Sequence, residues 1–116
     1  AMPGIRDWAI AAGATGIGVF AAEPGPDHEL VTRAFCPADA ADAADVPEDP
    51  VTGSANALIA AWLQQNGQLP GTDGSYAVSQ GREIGRDGRI HVSIDAQGTV
   101  WIGGQVQPVI AGQVHW

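Results

Sequence analysis

Glu48-Asp49-Pro50-Val51-Thr52-Gly53-Ser54-Ala55 sets two carboxylates, a rigid proline and a Thr-Gly-Ser turn directly ahead of an apolar run. Backbone N–H groups at a helix start lack intrahelical partners and lie at the positive end of the helix dipole. Such a start can hold a carboxylate or an oxyanion. Asp49 is the candidate catalytic residue, able to give or take a proton. Thr52, Gly53 and Ser54 are candidate substrate-binding residues. A blander reading stands beside this one: an Asp-Pro turn whose side chain only caps the helix.

Downstream, residues 55–63 read Ala-Asn-Ala-Leu-Ile-Ala-Ala-Trp-Leu, with Asn56 the sole polar member. An apolar band nearly all round predicts a buried helix over about 53–66, stopped by Gly67, with Trp62 in the core. The remaining pattern is mostly strand and turn. Ile5, Trp8, Ala9 and Ala12 have helical spacing, closed by Gly13. Residues 17–22 and 28–36 read as strands around the turn at 23–27. Residues 37–47 read as an exposed loop. Residues 76–80 and 90–95 alternate in strand fashion, and Ala96-Gln97-Gly98 is a hairpin-like turn. The sheet continues through Val100 and Ile102. Gly103-Gly104 suggests a bulge, and 109–116 forms a last strand. A helix buried among so many strands implies an α+β fold, with a mixed or antiparallel sheet wrapped around it.

The 116 residues suffice for one domain, 1–116, with a single core. The net charge is −8, and all five bases are arginines. Phosphate backbones and anionic membrane surfaces would repel such a chain, so nucleic acid and membrane are not expected partners. No apolar run approaches the roughly 20 residues that span a bilayer. No basic segment followed by an apolar one marks a signal peptide. A lone cysteine, Cys36, excludes an internal disulfide and suits a cytoplasmic location. Its apolar surroundings predict a small core residue.

Several pieces of the chain together resemble the C-terminal half of the phenazine-biosynthesis PhzF-like family. They are Arg33-Ala34-Phe35-Cys36-Pro37, the Glu48 to Ala55 string, Gln80-Gly81, Gly85-Arg86, Ile102-Gly103-Gly104-Gln105-Val106 and Gly112. Order and spacing agree over about residues 16–115. The Glu48 to Ala55 string is the specific signal. The resemblance implies one lobe of a diaminopimelate-epimerase-like fold, in which two similar lobes enclose a cleft. It implies isomerisation or epimerisation of a small carboxylated metabolite with neither metal nor organic cofactor. Carried over residue by residue, it points to Asp49 and Ser54 as pocket residues, with backbone N–H groups of Gly53 and Ser54 binding substrate. Gln80 and Arg86 join as substrate-binding candidates through their family-like pieces. The family's principal acid/base glutamate and a pocket histidine belong to an N-terminal half that has no counterpart in these residues.

Other charged clusters read more plainly. Arg82, Arg86 and Arg89 could grip a carboxylate, but surface charge balance is the simpler role. Asp39, Asp42, Asp45 and Glu48 lack calcium-loop spacing. His28, His91 and His115 lack metal-ligand spacing, so no metal site is expected. Trp101 faces away from Val100 and Ile102 and is a candidate for an interface or cleft wall.

The expectation is a single-lobe isomerase whose cleft is completed by a second copy in a homodimer, two Asp49 side chains supplying acid and base. Two alternatives stay open: a non-catalytic module that binds small acids, and one subunit of a hetero-oligomeric isomerase.

Overall fold

The computed structural model describes residues 4–36 and 47–116. Most of the segment expected as an exposed loop, with Asp39, Asp42 and Asp45, lies outside the described residues. The short first helix, α1 (Ile5–Ala12), ends at Gly13 in the left-handed conformation, where the chain leaves the helix without steric cost. Strands β1 (Ile17–Ala22), β2 (Leu30–Phe35) and β3 (Glu48–Asp49) precede the main helix, α2 (Gly53–Gln65). Then come β4 (Ser75–Gln80), a 3-10 turn (Arg82–Ile84), β5 (Gly88–Ile94) and β6 (Val100–Gly104).

The result is α+β with a mixed six-stranded sheet in the order β1-β2-β4-β5-β6, β3 pairing with β2. Among the described residues only β2 and β4 run parallel; the other pairs are antiparallel. A parallel neighbour demands a crossover, and α2 lies in the connection between β2 and β4. The β5–β6 hairpin turns at Gly98, as the sequence predicts. Asp95 Oδ1 accepts from the N–H groups of Gln97 and Thr99 there. Gly103 and Gly104 pair regularly with His91 and Ile90, so no bulge forms.

Alternation in β4 and β5 sends Tyr76, Val78, Ile90 and Val92 to one face. There they pack with Leu30 and with Ile59, Ala60 and Leu63 of α2. The helix touches β1, β5 and β6, so strands at both ends of the sheet reach it. Its far side is open: Leu58 is 74% exposed and Trp62 49%. This corrects the expectation of a helix buried all round with Trp62 in the core. Composition alone cannot tell a helix enclosed by strands from one that presents apolar side chains to a neighbour. Trp62 instead meets Phe20 of β1 edge to face, with ring centroids 5.9 Å apart.

The strand expected at 109–116 is also absent. Beyond Gly104 the chain is irregular and exposed to its end. The radius of gyration, 15.9 Å, exceeds the roughly 13 Å of a compact chain of this length, as an undocked tail would make it.

Candidate functional site

The Glu48–Ala55 string is held by Gln80, which is fully buried at the end of β4. Its Oε1 accepts from the Thr52 N–H at 3.1 Å and from Asn56 Nδ2 at 2.9 Å. Its Nε2 donates to the Asp49 carbonyl and to Thr52 Oγ1, both at 2.8 Å. All four hydrogen-bonding positions of the amide are thus used within the protein. The network extends inward. Asn56 Nδ2 also donates to the Thr52 carbonyl at 2.8 Å, and Thr32 Oγ1 of β2 donates to Asn56 Oδ1 at 3.1 Å. A buried polar cluster satisfied in this way fixes its members in one arrangement.

Gly81 and Gly88 complete the seat. A Cβ added at Gly81 would lie 2.8 Å from the Pro50 carbonyl oxygen, and one at Gly88 would lie 2.7 Å from it. Only glycine lets the backbone come this close. The Gln80-Gly81 pair therefore has a joint reason: the amide grips the turn and the missing side chain admits it.

Glu48 is anchored from the other side. Arg33 Nε and Nη2 each donate to a Glu48 oxygen at 2.9 Å, a two-pronged pair. The glutamate side chain is only 7% exposed. This pair raises the Arg33 pKa above its ordinary value. Arg33 also lies 5.1 Å from the Phe35 ring centroid. Sequence reasoning missed this pair. Arg33 and Glu48 are fifteen residues apart, and only the β2–β3 register, in which Phe35 sits opposite Glu48, brings them together.

Asp49 is half-buried. Its Oδ2 accepts from Thr52 Oγ1 at 2.6 Å, and its Oδ1 lies 3.5 Å from the Val51 N–H. The carboxylate is thus turned toward its own loop. Thr52 precedes α2 in an extended conformation, and its side chain caps no helix N–H. The first N–H groups of α2, at Gly53 and Ser54, therefore face outward at an exposed helix start.

A hollow of about 350 Å³ opens beside that start. Thr52, Ser54 and Leu58 form one wall, Gly16 and Gly18 a second, and Phe35 and Cys36 a third. A Cβ at Gly18 would sit 3.5 Å from the Ala55 methyl, which shows how closely β1 approaches the helix. Cys36 is half-buried in this wall rather than in the core. Of the predicted residues, Thr52 and Ser54 line the hollow and Gly53 lies between them in sequence. Asp49 reaches it through Thr52. Gln80 supports it from behind. Arg86 is exposed and is not among the residues lining the hollow; its N–H donates to the Gly81 carbonyl at 2.9 Å. Arg82 pairs with Glu23 and Glu83, and Arg89 with Asp27 and Asp87, so these two arginines balance surface charge.

A larger hollow, about 480 Å³, lies on the sheet face turned away from α2, beside His91, Trp101 and Glu29. Trp101 is 61% exposed there and donates its Nε1–H to Asp95 Oδ2 at 3.0 Å. Among the described residues no cluster of three or more His, Cys, Asp or Glu could hold a metal ion. Among them, too, no helix is long and apolar enough to cross a membrane.

Comparison with known proteins gives concordant relatives. The chain is 35% identical over 85 residues to an uncharacterized isomerase of Deinococcus radiodurans, covering 72% of this chain and 26% of that protein. It is 39% identical over 84 residues to the uncharacterized isomerase YddE of Escherichia coli strain K12, covering 71% and 26%. It is 30% identical over 73 residues to the uncharacterized isomerase YfhB of Bacillus subtilis, covering 63% and 23%. The chain thus spans about a quarter of the length of the curated relatives it matches. The family model described as phenazine biosynthesis-like protein, PhzC-PhzF, matches residues 3–112, and the chain belongs to that family.

Proposed function

We propose that this chain is one C-terminal-type lobe of a PhzF-like isomerase, with a diaminopimelate-epimerase-like architecture. It binds the carboxylate of a small metabolite at the start of α2. The observation that carries this reading is the outward-facing helix start at Gly53 and Ser54, set on the hollow and locked by Gln80. Unpaired N–H groups, the dipole of α2 and the Ser54 hydroxyl favour a carboxylate there. Arg86 would extend the anionic subsite only if a ligand spans the turn.

Proton transfer needs an acid and a base. Asp49 is the nearest carboxylate, and its bond to Thr52 Oγ1 connects it to the wall of the hollow. A second copy would bring the opposite wall and a second Asp49, and two coupled carboxylates divide into one acid and one base. Isomerisation would then proceed with no cofactor. The names of the relatives as isomerases support the reaction class.

A second reading has its own observation. Among the described residues, Cys36 is the one ionisable side chain lining the hollow. A single chain is therefore built to bind an acid there rather than to move its protons. One subunit of a hetero-oligomeric isomerase would look the same.

Incubation in deuterium oxide with a panel of small amino and hydroxy acids separates the readings. Exchange at the carbon beside the carboxylate, lost in Asp49→Asn, supports the isomerase. Ligand-induced thermal stabilisation that persists in Asp49→Asn, with no exchange, supports the binding module. Ser54→Phe should abolish binding in either case; unchanged affinity places the carboxylate elsewhere.

A further inference from the structure

Five side chains form one line of hydrogen bonds from the core of the sheet to Asp49. Thr32 Oγ1 donates to Asn56 Oδ1 at 3.1 Å, and Asn56 Nδ2 donates to Gln80 Oε1 at 2.9 Å. Gln80 Nε2 donates to Thr52 Oγ1 at 2.8 Å, and Thr52 Oγ1 donates to Asp49 Oδ2 at 2.6 Å. Every donor in the line faces toward Asp49. Thr32 and Gln80 are fully buried and Asn56 is 1% exposed, so water does not compete for their bonds.

Backbone groups fix the sense of this line, because they cannot trade the roles of donor and acceptor. The Thr52 N–H must donate, and it meets Gln80 Oε1. The Asp49 carbonyl must accept, and it meets Gln80 Nε2. Turning the Gln80 amide over would set N–H against N–H at one end and oxygen against oxygen at the other. Asn56 is held in the same way, since its Nδ2 meets the Thr52 carbonyl. Reversed, it would present an oxygen to that carbonyl and to Gln80 Oε1, leaving buried polar groups unpaired. Thr52 Oγ1 thus receives an N–H from Gln80, and its single proton is left for Asp49. The 2.6 Å separation matches a hydroxyl donating to a carboxylate. The two oxygens of Asp49 are therefore unlike. Oδ2 faces a hydroxyl hydrogen. Among the described residues, Oδ1 has only the Val51 N–H at 3.5 Å, too long for a full hydrogen bond.

We propose that Gln80, with Asn56 and Thr32 behind it, is a positioning residue that commits the Thr52 hydroxyl to Asp49 Oδ2 and leaves Oδ1 as the oxygen that exchanges protons with a ligand. Proton exchange at Oδ1 rests on the reading of Asp49 as the proton-transfer group. The direction of the Thr52 hydroxyl rests on the hydrogen bonds alone. A proton arriving at Oδ2 would collide with the hydroxyl hydrogen, and that hydrogen cannot swing back to Gln80, whose Nε2 is itself a donor. Oδ1 carries no such obstacle. The same commitment shapes binding. Thr52 has no proton to offer a carboxylate, so an acid in the hollow is met by the N–H groups of Gly53 and Ser54 and by the Ser54 hydroxyl.

Neutron diffraction from crystals of the full chain grown in deuterium oxide at neutral pH locates the deuterons directly. The Thr52 deuteron should lie on the line to Asp49 Oδ2, with a Gln80 Nε2 deuteron directed at Thr52 Oγ1. A Thr52 deuteron aimed at Gln80 or into the hollow, or a deuteron carried by Asp49 Oδ2, overturns the proposal. Exchange of solvent deuterium into the panel of small amino and hydroxy acids provides the second arm, with circular dichroism confirming that each variant is folded. Thr52→Val should lower kcat for exchange at least about 10-fold, the worth of one hydrogen bond to a charged group, and leave KM within about 3-fold. Thr52→Ser, which keeps the hydroxyl, should recover most of kcat. A loss confined to KM, or a serine variant no better than the valine one, overturns the positioning role. A parent chain that exchanges none of the acids overturns proton transfer at Oδ1 together with the Asp49 reading, while the deuteron positions still decide the direction of the hydroxyl.

Discussion

Replacing Gln80 with methionine keeps the side-chain length and removes four hydrogen bonds at once. The losses can be followed atom by atom. The Thr52 N–H loses its acceptor, and the Asp49 carbonyl loses the Gln80 amide. Asn56 Nδ2 retains the Thr52 carbonyl, and Thr52 Oγ1 retains Asp49. At a net worth of about 1 kcal/mol for each bond, the change should cost about 4 kcal/mol. Against a total stability of roughly 5–15 kcal/mol for a domain this is a large fraction. Equilibrium urea unfolding, followed by tryptophan fluorescence and circular dichroism, measures it directly. Gln64→Met, at an exposed position of α2, should stay within about 0.5 kcal/mol of the parent and serves as control. The damage should also be local: Gln80→Met that remains folded should lose carboxylate binding, because the helix start is no longer held. A loss below about 1 kcal/mol, or binding unchanged in the folded variant, refutes the view that this amide braces the site.

Tyr76 is 4% exposed, and its hydroxyl has no hydrogen-bond partner among the described residues. Tyr76→Phe should therefore be neutral or stabilising by up to about 1 kcal/mol in the same urea experiment. Burial pushes the Tyr76 pKa up to about 12 from an ordinary 10. The unfolded chain then releases the proton first, so stability should fall as pH rises from about 10 to 12, by roughly 2–3 kcal/mol. Tyr76→Phe should remove that part of the slope, and an identical slope in the variant would contradict it. Arg33→Met strands Glu48 with its side chain only 7% exposed and should cost about 3 kcal/mol. Adding Glu48→Leu should restore part of the loss, which a double-mutant cycle reads.

The turn and the start of α2 were legible because local sequence carries them. Pro50 stiffens the bend, and Thr52-Gly53-Ser54 opens the helix. Gly13 and Gly98 likewise mark the ends of their elements in place. What escaped was long-range. The role of Gln80 depends on β4 ending beside the helix start, and the Arg33–Glu48 pair depends on the β2–β3 register. Neither contact leaves a local pattern. Trp62 shows a different limit. A helix that is apolar on nearly all sides states only that each side wants a cover, not whether its own chain provides one. The same holds for 109–116. Its apolar residues read as strand, yet strand formation requires a neighbour, and none pairs with it among the described residues.

The single parallel pair sets the order in which this chain can assemble. Leu30 and Val78 are partners across β2 and β4, nearly fifty positions apart in sequence. Closing a loop that long costs roughly 3 kcal/mol of chain entropy before any contact offsets it. By contrast, Gln80 and Gly88 meet across one short 3-10 turn, and Ile94 and Val100 across a tight bend. The β4–β5–β6 meander should therefore form early, and β2 should join late, bringing Thr32 to Asn56 in the final step. Pulse-labelled amide exchange during refolding would register this as protection in β5 ahead of β2. Simultaneous protection would mean the crossover is in place from the start.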